Sequence, residues 1–217
     1  MNAPARPAHD PAQKGRKYDQ VIEGARRVFL NEGYERTSVD AIAREAGVSK
    51  ATLYSYFADK RLLFLEVARL ECARQAEESR DMIDPAAPPR EVLHFAATRI
   101  LAFLLSEFGQ RVFRICLAEA DRFPELGREF YQSGPALLRE RMKDYLQDAA
   151  ARGELEIRDF DLAADQFAEL CKADLWPRLM FGIDRSFPQA EIARVIDGAV
   201  ETFLARYGRH DFSSEKS

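Results

Sequence analysis

The segment VDAIAREAGVSKATLYSYF, residues 39–57, constrains the fold of this chain more than any other. It holds two short helical patterns on either side of Gly47. Two helices that cross at a steep angle need a small residue at their contact and a turn residue that tolerates positive φ, and Ala43 and Gly47 meet these needs. Three apolar residues are expected to fill the wedge between the helices: Ile42, Val48 and Leu53. The segment therefore predicts a helix-turn-helix.

One helix is predicted before this segment and a long one after it. Apolar residues recur at steps of three and four from Tyr18 to Phe29, and residues 31–33 end the first helix. The fourth helix is predicted from residue 60 to about residue 82. Hydroxyl and carboxylate side chains are favoured as N-caps. The expected caps of helices two, three and four are, in chain order, Thr37 or Ser38, Ser49 and Asp59.

The rest of the chain continues the helical period. Further helices are predicted over residues 91–106, 110–120, 124–151 with a kink at Gly134-Pro135, 161–181 with a kink near Trp176 caused by Pro177, and 188–207. The alternating segment 154–159 is short and is interpreted as a connector. The predicted fold is all-α. Its segments are a disordered basic tail (1–17), a helix-turn-helix domain (18–64), a helical bundle (65–208) and a second disordered tail (209–217).

Composition and motifs exclude several classes of function. The net charge is −4, yet residues 1–60 carry ten Lys or Arg against eight acids, so a mildly basic head precedes an acidic body. The net charge alone argues only weakly against nucleic-acid binding. Three scattered cysteines and the absence of metal-ligand, catalytic-triad and phosphate-loop motifs predict no enzyme, no metal site and no cofactor. Without a signal-peptide or membrane-spanning run, we expect a cytoplasmic protein with no membrane partner.

The second helix of the pair carries side chains suited to nucleic acid. Hydroxyls and a lysine near a helix N-terminus suit phosphate oxygens, because backbone N–H groups and the helix dipole add to the side-chain donors. Ala51 and Thr52 are small enough to approach base edges. Local packing is the alternative, and we favour it for Leu53, Phe57 and part of Tyr54.

The tail that ends in Lys14, Arg16 and Lys17 leaves two interpretations open. It could be a solvated tail, or an arm that lies against DNA as the arms of homeodomains do.

Residues 21–67 resemble the N-terminal DNA-binding domain of TetR-type bacterial transcriptional regulators. The resemblance is carried by F-x-x-x-G-Y in the first helix, T-S-V-x-x-I-A, the A-G-V-S-K turn, T-L-Y-x-Y-F and Lys60. It implies a homodimer that places two recognition helices in successive major grooves of a near-palindromic double-stranded operator. It matches these positions with contacts to phosphates or bases: Thr37, Ser38, Ser49, Lys50, Thr52, Tyr54, Tyr56 and Lys60. Ala51, a further candidate, stands where the family often has Gly.

Residues 111–135 and the segment RGEL at 152–155 resemble the C-terminal domain of AefR-like members of this family. The last two helices are apolar on more than one face each, which predicts two partners for each helix. In the family such a pair forms a four-helix bundle with its mate. The expected dimer contacts are Phe167, Leu170, Met180, Ile192, Val195, Ile196, Ala199 and Phe203.

Sensing of a small molecule is the second expected task of this bundle. Apolar side chains between helices can line an effector cavity, although such stripes are more often plain core. The candidate lining residues are Phe95, Phe103, Phe113, Cys116, Leu117, Tyr145 and Trp176. Cys116 and Cys171 also raise a redox-sensor hypothesis, beside the commoner role of isolated cysteines as small buried hydrophobes.

These features together predict a repressor that an unidentified small-molecule effector releases from its operator. Two alternatives stay open. One is a ligand-independent activator or DNA-binding regulator with a filled core, and the other is a helical bundle that binds a small molecule without any DNA function.

Overall fold

The computed structural model describes residues 15–80, 84, 86–121 and 124–209. Residues 1–14 and 210–217, which hold most of the two predicted tails, lie outside the described residues. The chain forms two compact units that divide between Ala68 and Arg69. The division falls within one helix, four residues after the predicted domain boundary.

Four helices begin in the first unit: α1 (Arg16–Glu32), α2 (Val39–Glu45), α3 (Lys50–Tyr56) and α4 (Lys60–Arg80). Arg16 and Lys17, which the sequence interpretation assigned to the tail, form the start of α1. That boundary is corrected because the helical backbone extends two residues before the first buried apolar side chain, Tyr18.

The helix starts follow local capping chemistry. The Ser38 hydroxyl accepts a hydrogen bond from the Ala41 N–H at 3.1 Å, so Ser38 caps α2. Ser49 caps α3 in the same way. The Asp59 carboxylate accepts hydrogen bonds from the N–H groups at the start of α4, that of Leu62 at 3.0 Å among them. Each cap satisfies a backbone donor that has no partner inside its helix.

The helices of the first unit pack around a small core of aromatic and aliphatic side chains. Phe29 and Phe64 pack edge to face with ring centroids 5.0 Å apart, and Ile42 and Leu53 are fully buried. Gly24 lies where α1 approaches the end of α2, since a Cβ on Gly24 would come within 2.7 Å of Ala46. Sequence reasoning did not identify this close contact.

The second unit contains the rest of α4 and seven further helices in the described part of the chain. They are α5 (Pro89–Leu105), α6 (Glu107–Glu119), α7 (Pro124–Ser133), α8 (Pro135–Ala151), α9 (Phe160–Leu170), α10 (Leu175–Met180) and α11 (Gln189–Tyr207). Its core is built by one face each of α5, α8, α9 and α11, with Leu101, Leu146, Phe167 and Phe203 among the most buried side chains.

Two predicted helix interruptions occur differently in the structure. The predicted kink at Gly134-Pro135 is a full break between α7 and α8. The helix predicted over 161–181 breaks at residues 171–174, before Trp176, and Pro177 stands in the first turn of α10. The correction has a physical reason, because proline is tolerated in the first turn of a helix, where its missing N–H would have no partner. Asp174 at the break has a φ of 64°.

The prediction that residues 154–159 form a connector is confirmed, and the connection between α8 and α9 spans residues 152–159. In the part of the chain that the structure describes, the only strand-like pairing is a single bridge between Leu155 and Gly208. The Glu156 N–H donates to the Tyr207 carbonyl at 2.8 Å, and the Arg209 N–H donates to the Glu154 carbonyl at 3.1 Å. These bonds fasten the end of α11 to the connector.

Among the described helices, none is by itself long and apolar enough to cross a membrane. The consecutive helices α5 and α6 reach the required length and hydropathy only when taken together, across a bend of 69°.

Candidate nucleic-acid interface

Helix α3 is anchored by one buried side chain and has four exposed residues, Lys50, Ala51, Tyr54 and Ser55. Leu53 is fully buried, and Gly47 takes a φ of 64° in the turn before the helix. Lys50, Ala51 and Tyr54 are exposed. The outward face of α3 therefore combines an ammonium, a methyl group and a phenol.

Lys50 is the charged group of this face, and it has a partner. Its Nζ lies 2.6 Å from Oδ1 of Asp40 in the first turn of α2. The Asp40 carboxylate raises the pKa of the Lys50 ammonium, first through the hydrogen bond and then through its charge. Both side chains are more than half exposed.

The hydroxyls of Ser49, which caps α3, and of Thr52, in its first turn, bond to one another. The Ser49 and Thr52 hydroxyl oxygens are 2.9 Å apart, and the Ser49 oxygen also accepts the Thr52 N–H at 3.1 Å. Thr52 is half-buried and Ser49 is exposed. A hydroxyl has one donor and two acceptor lone pairs, so each oxygen retains capacity for another bond.

Two residues matched with DNA contacts by the family resemblance serve inside the protein. Thr37 is 2% exposed, and its hydroxyl donates to the Gly33 carbonyl at 2.7 Å. The Lys60 ammonium donates to the carbonyls of Tyr34 and Thr37, both at 2.9 Å, and lies over the Tyr34 ring. These contacts tie the start of α4 to the turn between α1 and α2.

Tyr56 belongs partly to the packing of the first unit. Its ring meets the Tyr18 ring edge to face at a centroid distance of 5.6 Å, and Phe57 lies 5.7 Å from the same ring. The Tyr18 hydroxyl donates to the Glu66 carboxylate. Tyr18 therefore fixes the end of α3 against α1 and α4, and it is a positioning residue that sequence reasoning did not assign to the site.

Asp59 has an altered acidity. Burial opposes its ionisation, but the Leu62 N–H and the Arg61 guanidinium outweigh burial and hold the pKa of the carboxyl below its ordinary value. The cap of α4 is therefore charged at neutral pH.

Arg44 is a candidate contact that sequence reasoning missed. It is exposed in the last turn of α2, and the described part of the chain provides no side-chain hydrogen bond or ion pair for it. The available signal was its place on α2, three residues before the turn glycine.

One residue of the set expected to line an effector cavity borders a cleft in the described part of the second unit. A cleft of about 530 Å³ is bordered by Phe95 together with Arg90, Glu91, His94, Thr98, Asp197 and Val200. Phe95 belongs to the expected set. The other six expected residues, which do not border this cleft, are Phe103, Phe113, Cys116, Leu117, Tyr145 and Trp176.

Several of these six residues have identifiable contacts. The Phe113 ring packs edge to face on Trp176 at 5.0 Å, and the Tyr145 hydroxyl donates to the Ala87 carbonyl at 3.1 Å. Phe103 is half-buried, and Cys116 is buried. Leu117 is 70% exposed, which corrects its assignment to an enclosed cavity.

The expected dimer contacts need a similar correction. Five of the eight residues lie in the core of the second unit, where their own chain covers them and a second chain cannot reach them: Phe167, Val195, Ile196, Ala199 and Phe203. The remaining three, Leu170, Met180 and Ile192, are half-buried. The sequence pattern could not tell a helix face buried by its own chain from one buried by a partner.

The cysteines are free thiols of low reactivity. Burial raises the pKa of Cys72 to about 11 and that of Cys116 and Cys171 to about 12. The reactive species is the thiolate, which is scarce at neutral pH for such groups. The described residues also contain no cluster of side chains suited to holding a metal ion.

Two family models match the chain. Residues 21–67 match the tetR family of bacterial regulatory proteins, and residues 91–209 match the C-terminal domain of AefR-like transcriptional repressors.

Individual proteins extend the likeness over nearly the whole chain. A TetR-family transcriptional regulator from Mesorhizobium loti is 31% identical, with 91% of this chain and 99% of that one covered and a TM-score of 0.75. The flavonoid-responsive regulator FrrA is 35% identical over 90% of this chain and 99% of its own, with a TM-score of 0.66. The HTH-type transcriptional regulator YhgD of Bacillus subtilis is 24% identical over 86% of this chain and 93% of its own length.

Proposed function

The chain belongs to the tetR family of bacterial transcriptional regulators, and we propose that it acts as a homodimeric repressor that a small molecule releases from a near-palindromic operator. The proposal assigns no catalytic step to the chain and places it in the cytoplasm, where the chromosome of a bacterium lies.

The observation that carries the proposal is the outward face of α3. Leu53 holds the helix in the core, while Lys50, Ala51 and Tyr54 remain exposed. We assign phosphate contacts to Lys50 and Tyr54 and base contacts to Ala51 and Thr52, whose small side chains permit close approach.

The remaining candidates divide by their contacts. Ser38, Ser49 and Tyr56 have exposed or half-exposed polar groups and stay proposed contacts. Thr37 and Lys60 are proposed to position the helix-turn-helix, since their polar groups bond to backbone carbonyls of the same unit. We add Arg44 as a phosphate contact.

In the proposed homodimer, recognition of a specific operator requires the outward face of α3 from two copies of the chain. Two recognition helices must lie about 34–36 Å apart, or a multiple of it, to enter successive major grooves on one side of the duplex. Phe181 is 83% exposed and Ile183 is 70% exposed, on the segment that joins α10 to α11. Exposed apolar patches of this kind mark protein interfaces, so we include this segment in the proposed dimer surface beside Leu170, Met180 and Ile192.

Release requires that the effector favour a form of the protein that binds DNA less well. We propose that the effector binds the second unit and displaces α4, which continues without a break from the second unit into the first. Because FrrA is described as flavonoid-responsive, flavonoids are the first effectors to test.

The experiment that tests the proposal is selection from a pool of random-sequence duplexes. The purified protein should enrich a near-palindromic motif at moderate salt, and an effector from the screen should lower its affinity for that motif. A Lys50→Ala, Tyr54→Ala variant should lose the enrichment. The matched control, Lys172→Ala with Tyr131→Ala, changes the same residue types in the second unit and should retain it. Failure of the wild type to enrich any motif would reject the proposal.

A further inference from the structure

The ion pair between Lys50 and Asp40 joins the two helices of the helix-turn-helix. Lys50 is the first residue of α3, and Asp40 is the second residue of α2. The two charged atoms are 2.6 Å apart, although each side chain is more than half exposed. The pair therefore lies on the surface and contributes little to holding the fold together, because solvent screens exposed ion pairs and their formation costs side-chain entropy.

The partner of Lys50 matters for what the ammonium can bind. A carboxylate oxygen and a phosphate oxygen are alternative acceptors for the same charged donor. The Asp40 carboxylate already neutralises the charge that would attract a phosphate. A DNA phosphate that approaches Lys50 also approaches the negatively charged Asp40 carboxylate, which repels it.

Two other acids of the first unit have partners of their own. Glu45 accepts from Arg27 at 2.6 Å, and Asp59 bonds to the start of α4 and to Arg61. Tyr54, one turn after Lys50 on α3, also interacts with the lysine. Asp40 is thus the carboxylate that the structure pairs with Lys50 in the described part of the chain.

We propose that Asp40 restrains DNA binding by competing with the phosphate backbone for Lys50. The inference rests on the proposed function, because it concerns the affinity of the same surface for DNA. Asp40 makes no contact with DNA in this scheme. It acts through Lys50, and it keeps the affinity for duplexes of any sequence below what α3 alone would give.

The expected effect follows from the strength of such a pair and from counterion release. Removal of the Asp40 charge frees Lys50, so affinity for any duplex should rise by about 1.5- to 5-fold at low salt. Lys50 can then neutralise a phosphate fully, whereas beside Asp40 it does so only in part. The slope of log affinity against log salt should therefore become steeper by less than the value of about 0.9 that one full phosphate contact adds.

The test is a double-mutant cycle with Asp40→Asn, Lys50→Met and the combined variant. Fluorescence anisotropy would measure the binding of each protein to the selected duplex and to an unrelated duplex between 50 and 300 mM salt, roughly the range in which ion release is resolved. Asp148→Asn on α8 is the matched control for the change in net charge, since Asp148 is exposed in the second unit. Asp40→Glu keeps the charge and should stay near the wild type. Circular dichroism would confirm that all variants are folded.

The inference is supported if Asp40→Asn tightens binding and steepens the salt slope, and if most of the gain disappears in the Lys50→Met background. Unchanged or weaker binding by Asp40→Asn would overturn it. An equal gain with and without Lys50 would also overturn it, because Asp40 would then repel DNA directly. If the wild type and every variant fail to bind any duplex, the proposed function itself is wrong, an outcome distinct from the other two.

Discussion

Replacement of Gly24 by alanine is a direct test of how closely the first helix approaches the end of the second. A Cβ at this position would lie 2.7 Å from the N, Cα and Cβ atoms of Ala46, whereas ordinary van der Waals contact begins at about 3.4 Å. Two of these atoms belong to the backbone, so a change of side-chain rotamer cannot relieve the overlap. The two helices must move apart.

The magnitude is a balance of two effects. Added atoms in a well-packed core cost about 1–3 kcal/mol, and the backbone contact at Gly24 places this case in the upper part of that range. Alanine in a helix interior is favoured over glycine by about 1 kcal/mol. The Gly24→Ala variant should therefore lose about 1–2 kcal/mol of stability in the first unit. Helix propensity alone would instead make this variant more stable than the wild type.

Gly127→Ala is the matched control. Gly127 also lies in a helix, α7, but its added Cβ would meet only the Ala120 Cβ at 3.9 Å. This variant should be neutral or more stable by up to about 1 kcal/mol.

Two spectroscopic probes separate the units. Trp176, the single tryptophan of the chain, reports urea unfolding of the second unit, while far-ultraviolet circular dichroism reports both. Hydrogen exchange of α1 and α2 should become faster in Gly24→Ala, and the fluorescence midpoint should stay near that of the wild type. If Gly24→Ala slows exchange in α1 and raises stability as Gly127→Ala does, the close contact between α1 and Ala46 is refuted.

Three further predictions concern the surface of α3, a buried hydroxyl and the thiols. Lys50→Ala should weaken binding to duplexes of any sequence and lower the salt slope by less than one full phosphate contact, because Asp40 already neutralises part of the lysine charge. Titration at several salt concentrations measures the slope, and an unchanged slope would contradict the assignment. Thr37→Val should lower the melting temperature, since it deletes a buried hydrogen bond that contributes about 1 kcal/mol, and should leave the salt slope unchanged, because the Thr37 hydroxyl bonds to a carbonyl. The raised pKa of Cys116 and Cys171, about 12 each, means that the unfolded chain releases thiol protons at lower pH than the folded chain. The contribution of these thiols to the free energy of unfolding should therefore be fully present below about pH 9 and should be lost as the pH rises toward 12. Alkylation of the two thiols at pH 7.5 should require unfolding. Rapid labelling of the two thiols in the native protein would contradict this.

Much of the first unit could be predicted from sequence because its signals are local. Ser38, Ser49 and Asp59 cap the helices that follow them, and Gly47 takes the positive φ that the turn requires. A cap acts on backbone groups two or three residues away, so the chain itself brings the two together. The same holds for the predicted connector at 154–159, where the pattern was too short to support a strand.

In the second unit, the burial of individual helix faces and the position of one helix break could not be predicted from the sequence. Phe167 and Phe203 recur with helical spacing, but spacing does not say whether the same chain or a partner covers a given face. Leu117 follows a buried cysteine on an apolar helix and is nevertheless 70% exposed. Pro177 was a correct sign of an interruption near this part of the chain, but the break lies several residues earlier.

The sequence alone therefore determined the all-α fold, the starts of α2, α3 and α4 and the helix-turn-helix, since each depends on residues within a few positions of one another. Tertiary structure decided the partners of the charged and small residues. Lys60 reaches a carbonyl 26 positions away, Lys50 meets Asp40 on the preceding helix, and Gly24 meets Ala46. Which groups remain available for DNA depends on these contacts, and they exist only after the helices have packed, because packing brings together residues that no local pattern links.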